Sequence, residues 1–595
     1  MKQWKKLVRL VMALACVGIL AGCGEKQKPE VPPVPTDVAT TTTPTKAAEP
    51  VATEAPQETL TPVPTATPTN TPVPTVTPTS TPVPTNIPEA EAGTLNGLNA
   101  FDITSRMIVG WNLGNTLDSV VGSNIAFDSA PARSATAWGN IEPDKETFEA
   151  VKAAGFNTVR IPVTWYQHVK YDDAQGRYII SEEWLAYVKQ TVDYAYELNM
   201  FVIINVHHED TWINVPAFTD ASYETASKML HDIWTKLAET FAEYDQHLIF
   251  EGMNEPREVG SATEWSGGTV AAQQYINRLN KVFVDAVRGQ GSASNTERLL
   301  MLPGYAASST ISTIKAIEIP ENSGNVALSV HAYYPYYFAM ASDKYANHSF
   351  PGKSGYGEDY KTSITKLFLD LKNISDSKKV PIIIGEFGAS DFKNDEDRAR
   401  WATHFLTCAR NAGIPCVFWD NGAAYNGTGE AYGLIYRKTR TWFDSAIPML
   451  NAVMDVCGQE RSLPKYVAYQ KPAFDWNSME IGSDWVQIFR AEEGQKIDDW
   501  GNIWLEGWKD YLNENYDIVV FFDSESEPYM VLQGGWYKVY SENGRDGEYK
   551  IHFTMEDVQE TLTYEKIKLE DMEGYFVSAS GKPMTVYGVY AVPVK

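Results

Sequence analysis

The chain has 595 residues, too many for one ordinary domain, and a formal net charge of −26. An acid excess on that scale excludes nucleic acid as a partner, because a polyphosphate needs a basic surface. The 17 tryptophans and 12% aromatic residues supply flat apolar faces, suited to stacking on sugars as well as to core packing.

Residues 1–22 read as a processing signal. Lys2, Lys5, Lys6 and Arg9 precede an apolar run from Leu10 to Leu20 that is too short to span a bilayer. The run ends Leu20-Ala21-Gly22-Cys23, which resembles the bacterial lipoprotein cleavage box. That resemblance implies cleavage before Cys23, a lipid on its thiol, and an anchor at the outer face of a membrane; simple secretion is the alternative. Cys16 leaves with the signal, so Cys408, Cys416 and Cys457 remain, too few for a disulfide framework, though one pair can still bridge. Residues 23–93 form a Pro/Thr-rich linker in which TPVPTATPTN recurs as TPVPTVTPTS and begins again as TPVPTNIPEA. Such repeats favour polyproline II and bury no core; at about 3.1 Å per residue, about seventy of them reach on the order of 200 Å. Its threonines are candidate O-glycosylation sites.

Over residues 94–460 short apolar runs alternate with amphipathic segments. The strand candidates are Met107–Asn115, Thr158–Val163, Phe201–His207, Leu248–Glu255, Leu299–Gly304, Val326–Tyr333, Pro381–Gly388 and Ile414–Asn421. Helical periodicity marks Asp144–Ala154, Glu183–Leu198, Tyr223–Phe241, Ala271–Arg288, Tyr360–Leu371 and Asp395–Ala412. Strand–helix alternation implies parallel strands covered on both sides, and eight units in about 360 residues fit a (β/α)8 TIM barrel. Polar residues mark nearly every strand: Asn115 follows the first, Arg160 lies in the second, and His207 and His208, Asn254 and Glu255, His331 and Tyr333, Glu386 and Trp419 come at the ends of later ones. In a barrel these ends converge on one face, the place where active sites form. A doubly wound open sheet is the rival, and it does not bring so many polar ends together.

The motifs GWNLGNTLD (110–118), GFNTVRIPVTW (155–165), IINVHHE (203–209), FEGMNEP (250–256), SVHAYYPY (329–336), IIGEFG (383–388) and FWDNG (418–422) resemble glycoside hydrolase family five. The likeness is greatest to its bacterial endo-β-1,4-glucanases and covers about residues 95–455. It implies that Glu255 is the acid/base and Glu386 the nucleophile. It further implies ancillary roles for Arg160, His207, Asn254, His331, Tyr333 and Trp419, and sugar contacts at Asn115 and His208.

Two carboxyls about 5–5.5 Å apart leave no room for a water, so one must attack the sugar carbon directly and configuration is retained. Glu386 is expected to attack while Glu255 protonates the leaving oxygen and later deprotonates water. That division predicts a raised pKa for Glu255 and an ionised Glu386, with Arg160 and Tyr333 stabilising the anion. Asn254 is expected to bond the sugar 2-hydroxyl, and Trp419 to stack under the sugar. Glu251 shares strand parity with Glu255, and we read it as a buried carboxylate paired with a cation such as Arg160. His207-His208-Glu209 lacks the helical HExxH spacing, and adjacent strand residues face opposite ways, so no metal site is expected. No cofactor fingerprint is present.

After Cys457 the alternation stops. Asp517–Phe522, Tyr529–Gln533, Tyr537–Tyr540, Tyr549–Thr554 and Met584–Val592 read as strands, with turn signals at Asn543-Gly544 and Asp546-Gly547. A C-terminal all-β sandwich over 465–595 is expected, docked on the barrel through the short join Gly458–Leu463. DDWGNIW (498–504), EPYMVLQ (527–533) and MTVYGVYAV (584–592) resemble accessory carbohydrate-binding modules of bacterial glycoside hydrolases. Trp500, Trp504 and Trp508 are spaced by four, which fits one face of a helix or of a strand. Trp500, Trp504 and Trp536 are candidates for sugar stacking; core packing is the bland alternative for each. The expected whole is a monomeric retaining endo-β-1,4-glucanase at the bacterial cell surface, acting on cellulose or related β-glucans. Two alternatives stand beside it: the same chemistry on xyloglucan, mixed-linkage glucan, mannan or xylan, and a non-catalytic surface lipoprotein that only holds glycan.

Overall fold

A computed structural model describes residues 95, 97–122, 125–425, 430–505, 510–541, 544–572 and 574–594. The signal, Cys23 and the Pro/Thr linker lie outside the described residues, as does Trp508.

Eight parallel strands close a barrel in sequential order: β1 (Gly110–Asn112), β2 (Thr158–Ile161), β3 (Phe201–Asn205), β4 (Leu248–Glu251), β5 (Leu300–Ser308), β6 (Val326–His331), β7 (Ile382–Phe387) and β8 (Cys416–Phe418). Helices Lys145–Ala153, Glu182–Tyr196, Asp220–Thr240, Val270–Arg288, Tyr360–Lys378 and Asp395–Ala412 wrap it, so each strand is buried on both sides. Most of the strands are shorter than the apolar runs predict. β4 stops at Glu251, β3 at Asn205 and β6 at His331, which leaves Glu255, His207 and Tyr333 in the loops that follow. Several strand candidates therefore ran on into the loops that follow the strands.

Inside the barrel the side chains form two layers. Ile203, Ile249, Met301, Ala327, Ile383 and Val417 fill the lower one, and the short helix Ala100–Arg106 closes it from below with Ala100 and Ile103. That helix starts at a capping box, in which Asn99 and Asp102 each accept the other's backbone N–H. Two residues further along the strands, in phase with the pleat, come Asn205, Glu251, Ser329 and Gly385. The upper layer is polar. The thiols Cys408, Cys416 and Cys457 are all unpaired, so no pair bridges and the barrel rests on its packing.

The C-terminal part consists of two antiparallel sheets. One has five strands in the order β9 (Val486–Ile497), β17 (Met584–Pro593), β11 (Tyr516–Asp523), β15 (Lys550–Phe553), β14 (Arg545–Asp546). The other has four: β10 (Asn502–Trp504), β16 (Gly574–Ser578), β12 (Tyr529–Gln533), β13 (Tyr537–Val539). Ile518, Val520, Phe522, Met530, Leu532, Val577 and Val589 form the core between them. A helix at Met555–Glu565, capped by Thr554 and Asp557, adds to that core through Val558 and Leu562; the all-β reading did not anticipate it. The join from the barrel is held by backbone hydrogen bonds, Trp442 N–H donating to Pro464 and Ser462 N–H to Ala153. Glu527, Ser541, Gly544 and Arg545 share a cleft with Val120, Val121, Gly122 and Thr136 of the barrel.

Candidate active site

Arg160 on β2 organises the polar layer. Its guanidinium is fully buried and donates four hydrogen bonds: Nε to Glu251 Oε2 at 2.7 Å, Nη1 to Asn112 Oδ1 at 2.9 Å and Glu386 Oε1 at 2.8 Å, and Nη2 to Asn254 Oδ1 at 2.7 Å. Burial alone would lower the Arg160 pKa; the Glu251 and Glu386 carboxylates more than reverse that, and the group stays charged. Glu251 also accepts from Asn205 Nδ2 at 3.0 Å and from Ser329 Oγ at 2.5 Å, so it belongs to the support beneath the site. This matches the pairing expected for it.

Glu386 reaches the site through an irregularity. Gly385 is in phase with the inward-facing Ile383, so a regular strand would turn Glu386 outward towards the helices. The pairing register of β6 and β7 slips between Val330 and His331, and His331 then pairs with Glu386. The bulge brings the carboxylate inward. There its Oε1 takes the Arg160 bond and its Oε2 accepts from the Tyr333 hydroxyl at 2.8 Å. Gly385 has a second role, since a Cβ there would come within 3.3 Å of His331 Nε2 and 3.4 Å of Glu251 Oε1.

Glu255 comes from the loop after β4, with its side chain 20% exposed, and faces Glu386 across the mouth of the barrel. Its Oε1 accepts from His331 Nδ1 at 2.8 Å. Ligand atoms of Glu255, His331 and Glu386 all lie within 4.8 Å of one another. The raised Glu255 pKa expected from the sequence is not what this geometry gives. Burial pushes it up, but the His331 hydrogen bond and charge, with Arg257, pull it below the ordinary value. His331 moves the other way: burial lowers it, and the Glu386 and Glu255 carboxylates raise it above its usual range. The proton needed for acid catalysis is therefore held by the Glu255–His331 pair, across their hydrogen bond.

The other expected residues surround this centre. His207 is buried against Asn205 Nδ2 at 3.0 Å, and desolvation with the nearby cations holds it neutral. Its ring lies parallel to that of Trp419, with centroids 6.0 Å apart. Gly114 leaves room for that indole, because a Cβ there would sit 2.9 Å from it. His208 is half-buried at the rim. Because β3 ends at Asn205, the rings of His207 and His208 meet edge to face at 4.4 Å rather than pointing apart as strand neighbours would. With Asp118 they bring ligand atoms within 4.8 Å of each other, but the Asp118 oxygens already accept the backbone N–H groups of Asn115 and Thr116. Asn115 occupies the turn after β1 with φ +55°, held by Asp118 and by Asn140, which donates to its carbonyl at 2.9 Å.

Sequence reasoning missed the supporting residues Asn112, Asn205, Ser329 and Asp118. For Asn205 and Ser329 the signal was present in the strand parity, since they lie two residues before His207 and His331. It also missed Trp138, 43% exposed, whose ring lies 5.4 Å from that of His208. In the sandwich, Trp500 and Trp536 are 66% and 63% exposed. The spacing-by-four pattern does not mark one face of one element: Trp500 sits in a turn and Trp504 on β10.

Comparison with known proteins fits this geometry. The cellulase family, glycosyl hydrolase family 5, matches residues 122–425. Endoglucanase A of Ruminococcus albus is 39% identical over 361 residues, which cover 60% of this chain and 93% of that enzyme. Endoglucanase A of Clostridium longisporum is 38% identical over 360 residues, 60% of this chain and 66%, just under two thirds, of its own length. Among solved structures, a broad-specificity endoglucanase from Ruminococcus flavefaciens superposes with a TM-score of 0.55 at 40% identity, covering 61% of this chain and 99% of that one. A xyloglucan-specific endo-β-1,4-glucanase from a metagenomic library, solved with cellotriose, gives 0.54 at 38% identity and covers 60% and 98%. The chain belongs to the cellulase family of glycoside hydrolases, family 5.

Proposed function

We propose that this protein is a retaining endo-β-1,4-glucanase. The observation that carries the reading is the approach of the Glu255 and Glu386 carboxylates to within 4.8 Å, each held by different partners. That spacing suits direct attack and is too small for the water of an inverting mechanism, which needs about 6.5–9.5 Å. Glu386, fixed between Arg160 and Tyr333, attacks the anomeric carbon as the glycosidic bond breaks. Glu255 delivers the proton to the leaving oxygen, drawing on the pair it forms with His331. As Glu386 gives up its charge to the new bond, Glu255 loses a repulsive neighbour and more easily keeps a negative charge of its own. It then takes a proton from the incoming water, which displaces Glu386 and restores the starting configuration. Asn254, whose Oδ1 is held by Arg160, is the candidate to offer its amide N–H to a sugar hydroxyl.

Relatives named as broad-specificity and xyloglucan-specific endoglucanases favour a β-1,4-glucan backbone, linear or substituted, over mannan or xylan. The test is reducing-sugar release across cellulose, xyloglucan, mixed-linkage glucan, mannan and xylan, with product size and anomeric configuration followed by NMR from the first turnovers. Internal cleavage to β-anomers is expected, and Glu386→Gln should abolish it. Products of inverted configuration would refute retention; turnover on mannan or xylan alone would move the reading to that backbone, and no turnover on any polymer of the panel would leave only the glycan-holding alternative. We further propose a lipid anchor on Cys23 and display at the cell surface. A mature N-terminus without diacylglycerol refutes that part alone.

A further inference from the structure

Each sheet of the C-terminal sandwich has an outer face, and the two are finished differently. On the five-stranded sheet, Val519, Phe521 and Tyr590 are covered by the chain's own segment 474–485, through Phe474, Trp476, Met479, Ile481 and Trp485. On the four-stranded sheet the outward residues Tyr529, Val531 and Phe576 form a small buried cluster covered by side chains that are themselves exposed. Trp536 stands edge-on to Phe576 at 5.2 Å, and Tyr540 lies 5.6 Å from Tyr529. Lys538 places its ammonium 4.5 Å from the centre of Tyr529 and 5.5 Å from that of Trp500. Trp500, Trp536 and Tyr540 are 66%, 63% and 61% exposed. Rings this large, grouped on one open sheet face, mark a binding surface rather than unfinished core.

We infer that this face binds a β-glucan chain outside the catalytic cleft; the inference rests on the substrate class proposed above. Pyranose rings offer flat C–H faces that stack on indole and phenol rings, while their hydroxyls, in the ring plane, suit the single ammonium of Lys538. The net charge of −26 repels anionic polymers and leaves a neutral glycan as the matching long ligand. The face also borders the barrel. Ser541, next to Tyr540, shares a cleft with Val120, and the Val120 carbonyl accepts from Trp138 Nε1 at 3.1 Å, whose ring in turn meets His208. A chain lying on the platform thus has an aromatic route towards the reacting centre.

The experiment is affinity electrophoresis of the full chain carrying Glu386→Gln, in gels containing xyloglucan, mixed-linkage glucan or, as a control, dextran. Retardation by the β-glucans is expected, and Trp500→Ala with Trp536→Ala should weaken it about tenfold or more. Trp500→Phe with Trp536→Phe should retain most of it, and unchanged thermal melting of the alanine pair excludes a folding defect. Equal retardation with and without the two indoles overturns the inference. So does self-association, seen by light scattering, that the alanine pair abolishes, because the face would then meet a second copy. The two readings fail separately: hydrolysis by the unmutated chain reports the barrel, and the indole-dependent retardation reports the sandwich.

Discussion

Replacing Arg160 with Met tests the whole polar layer at once. The change removes four hydrogen bonds and strands two carboxylates, Glu251 and Glu386, whose side chains are 0% and 7% exposed. Removing one partner of a buried ion pair costs about 3–5 kcal/mol, mostly because the remaining charge is left desolvated. Here the second carboxylate keeps the Tyr333 bond, and Glu251 keeps Asn205 and Ser329, so the lower half of that range, about 3–4 kcal/mol, is expected. Chemical denaturation followed by near-ultraviolet dichroism reads it as a shift of the barrel transition. Adding Glu251→Gln removes one stranded charge and should recover on the order of 1–3 kcal/mol, the coupling in a double-mutant cycle. Activity should stay absent in both, because Glu386 loses the Arg160 hydrogen bond that positions it. A single variant within about 1 kcal/mol of the parent, or strict additivity of the two, would refute the role given to Arg160.

Other expectations follow from the same contacts. Tyr333→Phe deletes one hydrogen bond to the Glu386 carboxylate, and kcat should fall about 10- to 100-fold with little change in melting temperature, as steady-state kinetics will show. Glu255→Ala should lose about 10²–10⁴ in rate on glucan and far less on an aryl cellobioside with an acidic phenol, which leaves without a proton. Gly385→Ala presses a methyl against His331 Nε2 and should depress activity more than stability, with Gly385→Ser no better. The pH dependence of stability has a defined shape. Glu255 sits below its ordinary 4.5, so its contribution is present above that value and is lost as pH falls through its folded pKa. His331 sits above its ordinary 6.5, so its contribution is complete below that value and is lost as pH rises through its folded pKa. The stability gap between parent and His331→Asn should therefore be widest from about pH 4.5 to 6.5 and narrow on both sides. A gap independent of pH would show that the pair is not ionic.

The barrel was legible because its strands are continuous apolar runs separated by amphipathic helices, a pattern that leaves few topologies open. Most active-site residues were legible by position, at or just beyond the end of a run, while Arg160 stands inside its run, Thr158–Val163. Two kinds of information were hidden. One was the bulge at Gly385-Glu386: periodicity alone turns Glu386 away from the barrel interior, and only the register slip against His331 turns it inward. The other was the charge state of Glu255, because the partner that lowers its pKa comes from β6, 76 residues away in sequence. In the sandwich, strands of mixed burial such as Val486–Ile497 gave no clean alternation, and the sequence offered no reason to expect a helix at Met555–Glu565.

The arrangement around Arg160 has an electrostatic outcome. One guanidinium serves two carboxylates, and the Glu255–His331 couple is neutral as a unit, so the resting centre keeps a single uncompensated negative charge. It is spread over the two carboxylates that share Arg160, and Glu386, the upper of them, faces the point where a departing glycosidic oxygen leaves the sugar electron-deficient. An arginine shared equally between a foundation and a working group thus gives the enzyme a built-in counter-ion for a cation that exists only at the top of the barrier.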